Sequence, residues 1–283
     1  MEKEPGVIND LPLRGSLSRV IALSILVTIL MIFASLVGFL FPSLTYPDDA
    51  LVRSFVPNDL VNLLIGLPVL LVSMQFARKG KLVGLLLLPG ALFYVFYNYA
   101  AYVIAMPPNW VYPVHLVLAF LSILALISLI GKLDAERIRV ILQGSVNERI
   151  AGGILMALGL LFSLRALVII LAALFNGSIL PRTDLAVNVV DVLVTPAWVI
   201  SGISIWRHKS FGYATGLGVL FQGSMLFIAL MVFLLVQPFL THVPFPVVDF
   251  LVITGMGMIC FVPFALFLRG VIRRSHNSSV RNG

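Results

Sequence analysis

The chain has 283 residues, of which 60% are hydrophobic and only 11% are charged, and its mean hydropathy is +1.08. A soluble domain with this composition would lack the polar residues needed to cover its surface. The composition therefore excludes that class and predicts a membrane protein. The formal net charge of +7 would suit a nucleic-acid partner. The basic residues, however, lie mostly in the connections between apolar segments, where they would orient the chain in a membrane. We therefore expect the lipid bilayer as partner and no nucleic acid.

Apolar segments of about 20 residues, enough for a helix to cross a hydrocarbon core, recur along the whole chain. The first, from Val20 to Phe41, is too long for a signal-peptide core, so we expect it to be retained. The second and sixth are interrupted by Pro68 and Pro196. The predicted fold is therefore all-α, a polytopic membrane bundle of eight transmembrane helices. The predicted spans are 18–42, 58–77, 82–105, 111–131, 150–175, 185–206, 211–238 and 246–270.

The positions of Lys and Arg in alternate connections orient these spans. Sixteen of the 19 lie at the N-terminus, in the second, fourth and sixth connections, and in the tail, whereas only Arg53 and Arg182 lie in the other connections. The remaining one, Arg165, lies inside a span. Because basic connections stay in the cytoplasm, we predict a multi-pass protein of the cell membrane with both termini cytoplasmic.

The longest basic connection, 132–149, has the pattern of a short amphipathic surface helix at about residues 134–142. Ser145 and Glu148 then have the spacing of a capping box, which predicts the start of the fifth span. The remaining segments are predicted to be a cytoplasmic N-terminal segment, 1–17, and a disordered cytoplasmic tail, 271–283.

The two halves of the chain share a spacing pattern. Pro68 is followed by glycines 16 and 22 residues later, and Pro196 is followed by glycines at the same two distances. Each proline also precedes a short basic turn. Four crossings return a chain to its starting side, so we predict a tandem parallel repeat of four helices, 18–131 and 150–270. The corresponding glycines are Gly84 and Gly90 in the first half, and Gly212 and Gly218 in the second.

An ionisable side chain inside a span costs about 2.5–3.5 kcal/mol on insertion scales, so each should face a partner or a polar cavity. Arg165 in the fifth span and Asp191 in the sixth fall at a similar depth when helical rise is counted from each end. We therefore predict an ion pair between them. The pair has both a structural and a functional interpretation, and the sequence does not choose between the two.

Most other polar residues of the spans lie in the half that faces away from the predicted cytoplasmic side. Asp59 and Asn62 are three residues apart, as are Asn188 and Asp191, which puts each pair on one helix face. This pattern predicts a polar pocket that opens outward and takes a small-molecule or lipid ligand. The predicted substrate-binding residues are Arg165, Asp191, Asn188, Asp59, Asn62, Asn98, Tyr94, His115 and Gln222.

Several of these residues also have simpler interpretations. Asp59 is close enough to the predicted start of its span to be a helix-start residue, and the tyrosines suit an aromatic belt at the membrane interface. A lone histidine such as His115 is more often a packing residue than a ligand, and a b-type haem needs two facing histidines. With one cysteine, Cys260, and no metal-binding motif, we expect no cofactor and no metal.

Three functional classes fit these observations. A small-molecule transporter or permease is favoured, because two four-helix units with proline-interrupted spans around a polar site suit a carrier. The second is a membrane-embedded enzyme acting on a lipid-linked or amphipathic substrate at the outer face. In it, Asp191 or Asp59 would serve as base, His115 as acid or base, and Arg165 would hold an anionic headgroup. The third is a non-catalytic accessory or sensor subunit.

Overall fold

The computed structural model describes residues 11–280, apart from the side chains of 275–280. Within this part of the chain, eight helical spans are long and apolar enough to cross a membrane, as the sequence predicts, and seven begin within three residues of the predicted start. The helices are α1 (Ser18–Leu40), α2 (Pro42–Thr45), α3 (Asp49–Val61), α4 (Leu67–Arg78), α5 (Leu82–Ala105), α6 (Tyr112–Lys132), α7 (Ala135–Leu142), α8 (Glu148–Phe175), α9 (Arg182–Trp206), α10 (Ser210–Thr241) and α11 (Val247–Val280).

Both predicted terminal segments lie partly outside the described residues. In the N-terminal segment, 1–17, Leu13 forms an isolated β-bridge with Leu133, in the connection between α6 and α7. This bridge lies at the same end of the bundle as the α4–α5 and α9–α10 turns. We call that end the basic side. Of the predicted disordered tail, 271–283, the residues up to Val280 continue α11 as helix.

The second span begins earlier than its hydropathy predicts. Its first helix, α3, starts at Asp49, because the Asp48 carboxylate accepts a hydrogen bond from the Leu51 N–H at 2.9 Å and caps the helix. A π-helical turn, Asn62–Gly66, joins α3 to α4, so the span is continuous from Asp49 to Arg78. Asp59 thus lies ten residues into the span, about 15 Å along its axis. Its interpretation as a helix-start residue is wrong.

The predicted surface helix is present as α7, and it is capped by Asp134, which accepts from the Arg137 N–H at 3.2 Å. The predicted capping box at the next helix is wrong. Asn147, rather than Ser145, caps α8, by accepting from the Ile150 N–H at 3.1 Å. Glu148 does not cap the helix. Its carboxylate instead accepts a hydrogen bond from the hydroxyl of Tyr213 on α10 at 2.7 Å.

The centre of the bundle is the crossing of α5 and α10. In the apolar membrane-spanning part of α5, 83% of the residues are buried, compared with 22% in α8 and in α11. Other helices therefore enclose α5, whereas α8 and α11 lie at the periphery. The crossing depends on glycine, since a Cβ atom on Gly90 would lie 2.1 Å from the carbonyl oxygen of Gly218. A Cβ on Gly218 would lie 3.2 Å from the Gly90 backbone nitrogen.

The α4–α5 and α9–α10 turns have the same hydrogen bonds at positions 128 residues apart. Lys81 N–H donates to the Phe76 carbonyl at 3.0 Å, and Lys209 N–H donates to the Ser204 carbonyl at 2.8 Å. At the left-handed position of each turn stand Gly80, with φ of 70°, and His208, with φ of 53°. The two turns therefore return the chain into the membrane with the same backbone geometry.

Candidate functional site

Asp59 lies at the centre of a buried hydrogen-bond network in the first half of the chain. Its side chain is enclosed, with 1% of the residue exposed. One carboxylate oxygen, Oδ1, accepts from the Tyr102 hydroxyl at 2.8 Å, and the other accepts from the Tyr46 hydroxyl. Asn58 Nδ2 contacts both the Tyr102 oxygen, at 3.2 Å, and Asn98 Oδ1, at 3.4 Å. We call these five residues the Asp59 network.

Close packing by α1 encloses this carboxylate from one side. A Cβ atom on Gly38 would lie 2.0 Å from Asp59 Oδ2 and 2.5 Å from the Tyr46 oxygen. Tyr46 reaches the site from the connection that follows α2. Burial, and then the neighbouring Asp59 carboxylate, raise the pKa of the Tyr46 phenol well above its ordinary value. Tyr46 therefore remains protonated and able to donate its hydrogen bond at physiological pH.

The predicted site residue His115 packs beside this network without joining its hydrogen bonds. Its ring centroid lies 4.8 Å from that of Tyr102 and 5.8 Å from that of Tyr99, whose hydroxyl is 3.0 Å from Ser35 Oγ on α1. His115 is 1% exposed, and its Nδ1 atom has no partner among the described residues. His115 is therefore a buried histidine with an open hydrogen-bonding position.

Asn62 and Tyr94 have buried polar atoms without partners close to the π-helical turn. Neither the amide nitrogen nor the amide oxygen of Asn62 is bonded within the described part of the chain, and the Tyr94 hydroxyl is also unpaired there. Both side chains border Gly66, because a Cβ on that glycine would lie 2.9 Å from Tyr94 Cε1 and 3.6 Å from Asn62 Oδ1. Such groups are uncommon in folded proteins, where buried polar atoms are usually satisfied.

The predicted pair of Arg165 and Asp191 is confirmed, with Nη1 of Arg165 3.8 Å from Oδ2 of Asp191. The Tyr97 hydroxyl donates to the other carboxylate oxygen at 2.8 Å. We call these three residues the Asp191 network. Counted from the ends of α8 and α9, both charged residues lie about 5 Å from the middle of their helices, toward the end opposite the basic side.

Two other predicted residues lie in α9 and α10. Asn188 Nδ2 donates to the Asp184 carbonyl of its own helix at 2.7 Å, and its Oδ1 has no partner among the described residues. Gln222 Oε1 accepts from the indole N–H of Trp198 at 2.7 Å. Gln222 therefore links α9 to α10 and is not in direct contact with either network.

The two networks lie on different faces of α5. Tyr97 points toward Asp191 on α9, whereas Asn98 and Tyr102 point toward α3. Consecutive residues of a helix are about 100° apart, so neighbours in sequence reach different partners. Direct contacts therefore divide the predicted site residues between two networks.

A cleft of about 550 Å³ opens on the basic side, where residues 144–149 and His208 line it. It contains none of the predicted site residues. The predicted outward pocket remains a prediction.

Three members of the Asp59 network were not predicted from the sequence. Tyr102 follows Asn98 by four residues, so helical spacing alone could have placed it on the same face. Asn58 precedes Asp59 directly and is also polar, but it falls at the edge of the predicted span. Tyr46 lies between two helices, and no pattern in the sequence indicates that it reaches a membrane-embedded carboxylate.

Comparison with known proteins gives no assignment for this chain. No family model matches the sequence, and neither curated proteins nor solved structures gave a significant match. A functional hypothesis therefore depends on the geometry of the two networks.

Proposed function

We propose that the chain is a small-molecule transporter of the cell membrane, and that Asp59 binds the proton that drives transport. In this proposal the Asp59 network is the coupling site, and the unpaired groups of Asn62, Tyr94 and His115 take part in binding substrate or water. Both termini face the cytoplasm, so the two networks lie in the outer half of the membrane.

The observation that carries this proposal is the isolation of the Asp59 carboxylate. Among the described residues no Lys, Arg or His pairs with it, although it is enclosed and lies deep in its span. An ionised carboxylate without a cationic partner is costly in an apolar interior. A proton that binds and leaves in each cycle would neutralise it, and membrane-embedded carboxyls serve this role in pumps and transporters.

The local backbone supports the same proposal. The π-helical turn, Asn62–Gly66, begins one residue after α3 ends and three residues after Asp59. Single π-helical turns inside α-helices are frequently located at functional sites. Here the turn follows Asp59 in the chain and its last residue, Gly66, borders the ring of Tyr94, so a change in its hydrogen bonding would alter both groups together.

We also propose that the two halves are copies of one four-helix unit. The matched hydrogen bonds of the α4–α5 and α9–α10 turns support this, as does the contact between Gly90 and Gly218, which occupy equivalent positions. Equivalent residues meet each other only close to a twofold axis, which would run along the membrane normal. Superposing α1–α6 onto α8–α11 tests the proposal, and failure of helices 128 residues apart to coincide would contradict it.

The enzyme alternative receives less support from the structure. An acid or base at His115 needs a carboxylate or a substrate group within hydrogen-bond reach. His115 makes no side-chain hydrogen bond to the described residues, and aromatic rings of Tyr99 and Tyr102 pack against it. The accessory-subunit alternative predicts static accessibility of the buried network, which the following experiment distinguishes from transport.

Cysteine accessibility at Asn98 tests the transporter proposal without knowledge of the substrate. The only cysteine, Cys260, is buried, so Cys260→Ala supplies a background for Asn98→Cys. A carrier exposes this position alternately, and we expect a membrane-impermeant thiol reagent to label it from either side of the membrane. The ratio of the two labelling rates should change between mildly acidic and mildly alkaline pH, because Asp59 binds a proton in the cycle, and Asp59→Asn should abolish that change.

This experiment has two controls, one for thiol reactivity and one for the loss of a carboxylate. Ile179, in the α8–α9 connection, is 97% exposed, and Ile179→Cys corrects for the effect of pH on thiol reactivity itself. Asp249→Asn removes a carboxylate from the first turn of α11 and should leave the Asn98→Cys ratio unchanged. Labelling of Asn98→Cys from the outer side alone at both pH values would contradict the proposal.

The predicted orientation has its own test. In the Cys260→Ala background, we expect Ile179→Cys to react with an impermeant maleimide in intact cells. His208→Cys, in the α9–α10 turn on the basic side, should react only after permeabilisation, because basic connections are retained in the cytoplasm. Quantifying labelled protein before and after permeabilisation measures both, and the reverse pattern would show that the termini face outward.

A further inference from the structure

Arg165 is a charged residue at the surface of the bundle, at a depth where lipid surrounds the protein. Its side chain is 52% exposed, whereas that of its partner Asp191 is 9% exposed. Arg165 lies about 5 Å outward of the middle of α8, well inside a hydrocarbon layer of about 30 Å. An arginine that faces hydrocarbon without a partner for its exposed side is unfavourable.

Asp191 does not satisfy this guanidinium. The closest approach, 3.8 Å, exceeds hydrogen-bond distance. The carboxylate oxygen Oδ1 already accepts from Tyr97, and the guanidinium makes no hydrogen bond to any described residue. A guanidinium carries five N–H donors in a planar arrangement that fits the two oxygens of a carboxylate or phosphate. The side chain is therefore held in place electrostatically, with its donors open toward the lipid.

The surface on either side of Arg165 is apolar. Leu161, Leu164 and Val168 lie on the same face of α8 and are 50%, 59% and 64% exposed. These positions are three or four residues from Arg165, or adjacent to it, and form a strip along the helix axis. A ligand that matches this surface has an acidic group for the guanidinium and an alkyl chain for the strip.

We propose that Arg165 binds the acidic headgroup of an anionic lipid from the leaflet opposite the basic side, with an alkyl chain of the lipid lying along α8. The Cα of Arg165 lies about 5 Å from the middle of α8, so roughly 10 Å of hydrocarbon separates it from headgroup level. The acidic group must therefore descend below headgroup level to meet the guanidinium. This geometry favours a small headgroup, such as a phosphate monoester, over a bulky zwitterionic one.

This binding site does not depend on the proposed transport function, since the lipid can be a substrate or a permanent component. Asp191 competes with the headgroup in this site, because its buried carboxylate also attracts the guanidinium. Removing the charge while keeping the shape of the side chain should therefore strengthen lipid binding.

The test is a titration of delipidated, detergent-solubilised protein with phosphatidic acid or phosphatidylcholine, in which bound lipids are counted by native mass spectrometry. We expect the native chain to bind phosphatidic acid at least about tenfold more tightly than phosphatidylcholine, as charge-assisted hydrogen bonds suggest. Arg165→Gln should remove this preference. Asp191→Asn should increase it, which a purely structural ion pair does not predict.

The matched control is Arg182→Gln, which removes an exposed arginine at the outer start of α9 and should leave the preference intact. Thermal unfolding of each variant identifies any that fail to fold, and in that case the Asp191→Asn result decides. The proposal is overturned if Arg165→Gln retains the preference, or if free inorganic phosphate displaces the lipid. A dimer of the native chain that Arg165→Gln dissociates would assign the surface to a second copy and also overturn it.

Discussion

Replacing Gly90 with alanine is expected to separate α5 from α10 and to lower the free energy of unfolding by about 3 kcal/mol or more. The added Cβ atom would lie 2.1 Å from the carbonyl oxygen of Gly218. The Cβ of alanine has no rotamer freedom and the atom that it meets is a backbone atom, so no rotamer change can relieve the overlap and the helices must move apart. Because α5 carries residues of both networks, this movement should also disrupt the contacts of Asp59 and Asp191. The thermal unfolding midpoint of detergent-solubilised protein measures the loss.

Two glycine substitutions provide matched controls for Gly90→Ala. Gly255→Ala adds the same methyl group to α11, where nothing lies within 4 Å, and the gain in helix propensity should leave stability equal or slightly increased. Gly218→Ala should have an intermediate effect, because its Cβ would lie 3.1 Å from the Leu86 carbonyl oxygen. If all three variants unfold at the same temperature, the α5–α10 crossing is not as close as described.

The eight spans could be predicted from the sequence because a membrane-spanning helix must be apolar over a fixed length. The one large error, at the second span, has the same cause. Asp48, Asp49 and Arg53 lower the hydropathy of the first turns of α3, although Asp48 is also the residue that caps the helix. Mean hydropathy reflects the cost of these charges but does not reflect the helix cap. A prediction that started the helix at the Asp48 cap would have placed Asp59 deep in the span.

The candidate site was only partly predictable. The pairing of Arg165 with Asp191 followed from depth alone, since antiparallel neighbours with opposite charges at the same level have few other partners. The division into two networks depends instead on the rotation of α5 about its axis, which directs Tyr97 and Asn98 to different helices. Hydropathy does not report that rotation. It became visible only when the packing partners of α5 were known.

The two networks differ in how their carboxylates are balanced. Asp191 has a nearby guanidinium and one tyrosine, whereas Asp59 has two tyrosines and no cationic partner among the described residues. The Asp59 network therefore depends on neutral donors, and removing one of them should have a larger effect than removing an exposed hydroxyl. This difference leads to a test of whether the Asp59 contacts hold the first half of the chain together.

At a pH where Asp59 is ionised, Tyr102→Phe is expected to lower the free energy of unfolding by about 1.5–3 kcal/mol, the range for a hydrogen bond to a charged group. The substitution leaves Asp59 Oδ1 without its donor at 2.8 Å, at a residue that is only 1% exposed. Tyr112→Phe is the matched control, because the Tyr112 hydroxyl makes no hydrogen bond to the described residues, and it should be nearly neutral. In an Asp59→Asn background, Tyr102→Phe should cost less, because its acceptor no longer carries a carboxylate. Equal costs in both backgrounds, measured as thermal midpoints in one detergent, would show that the Tyr102 hydroxyl does not stabilise the fold through Asp59.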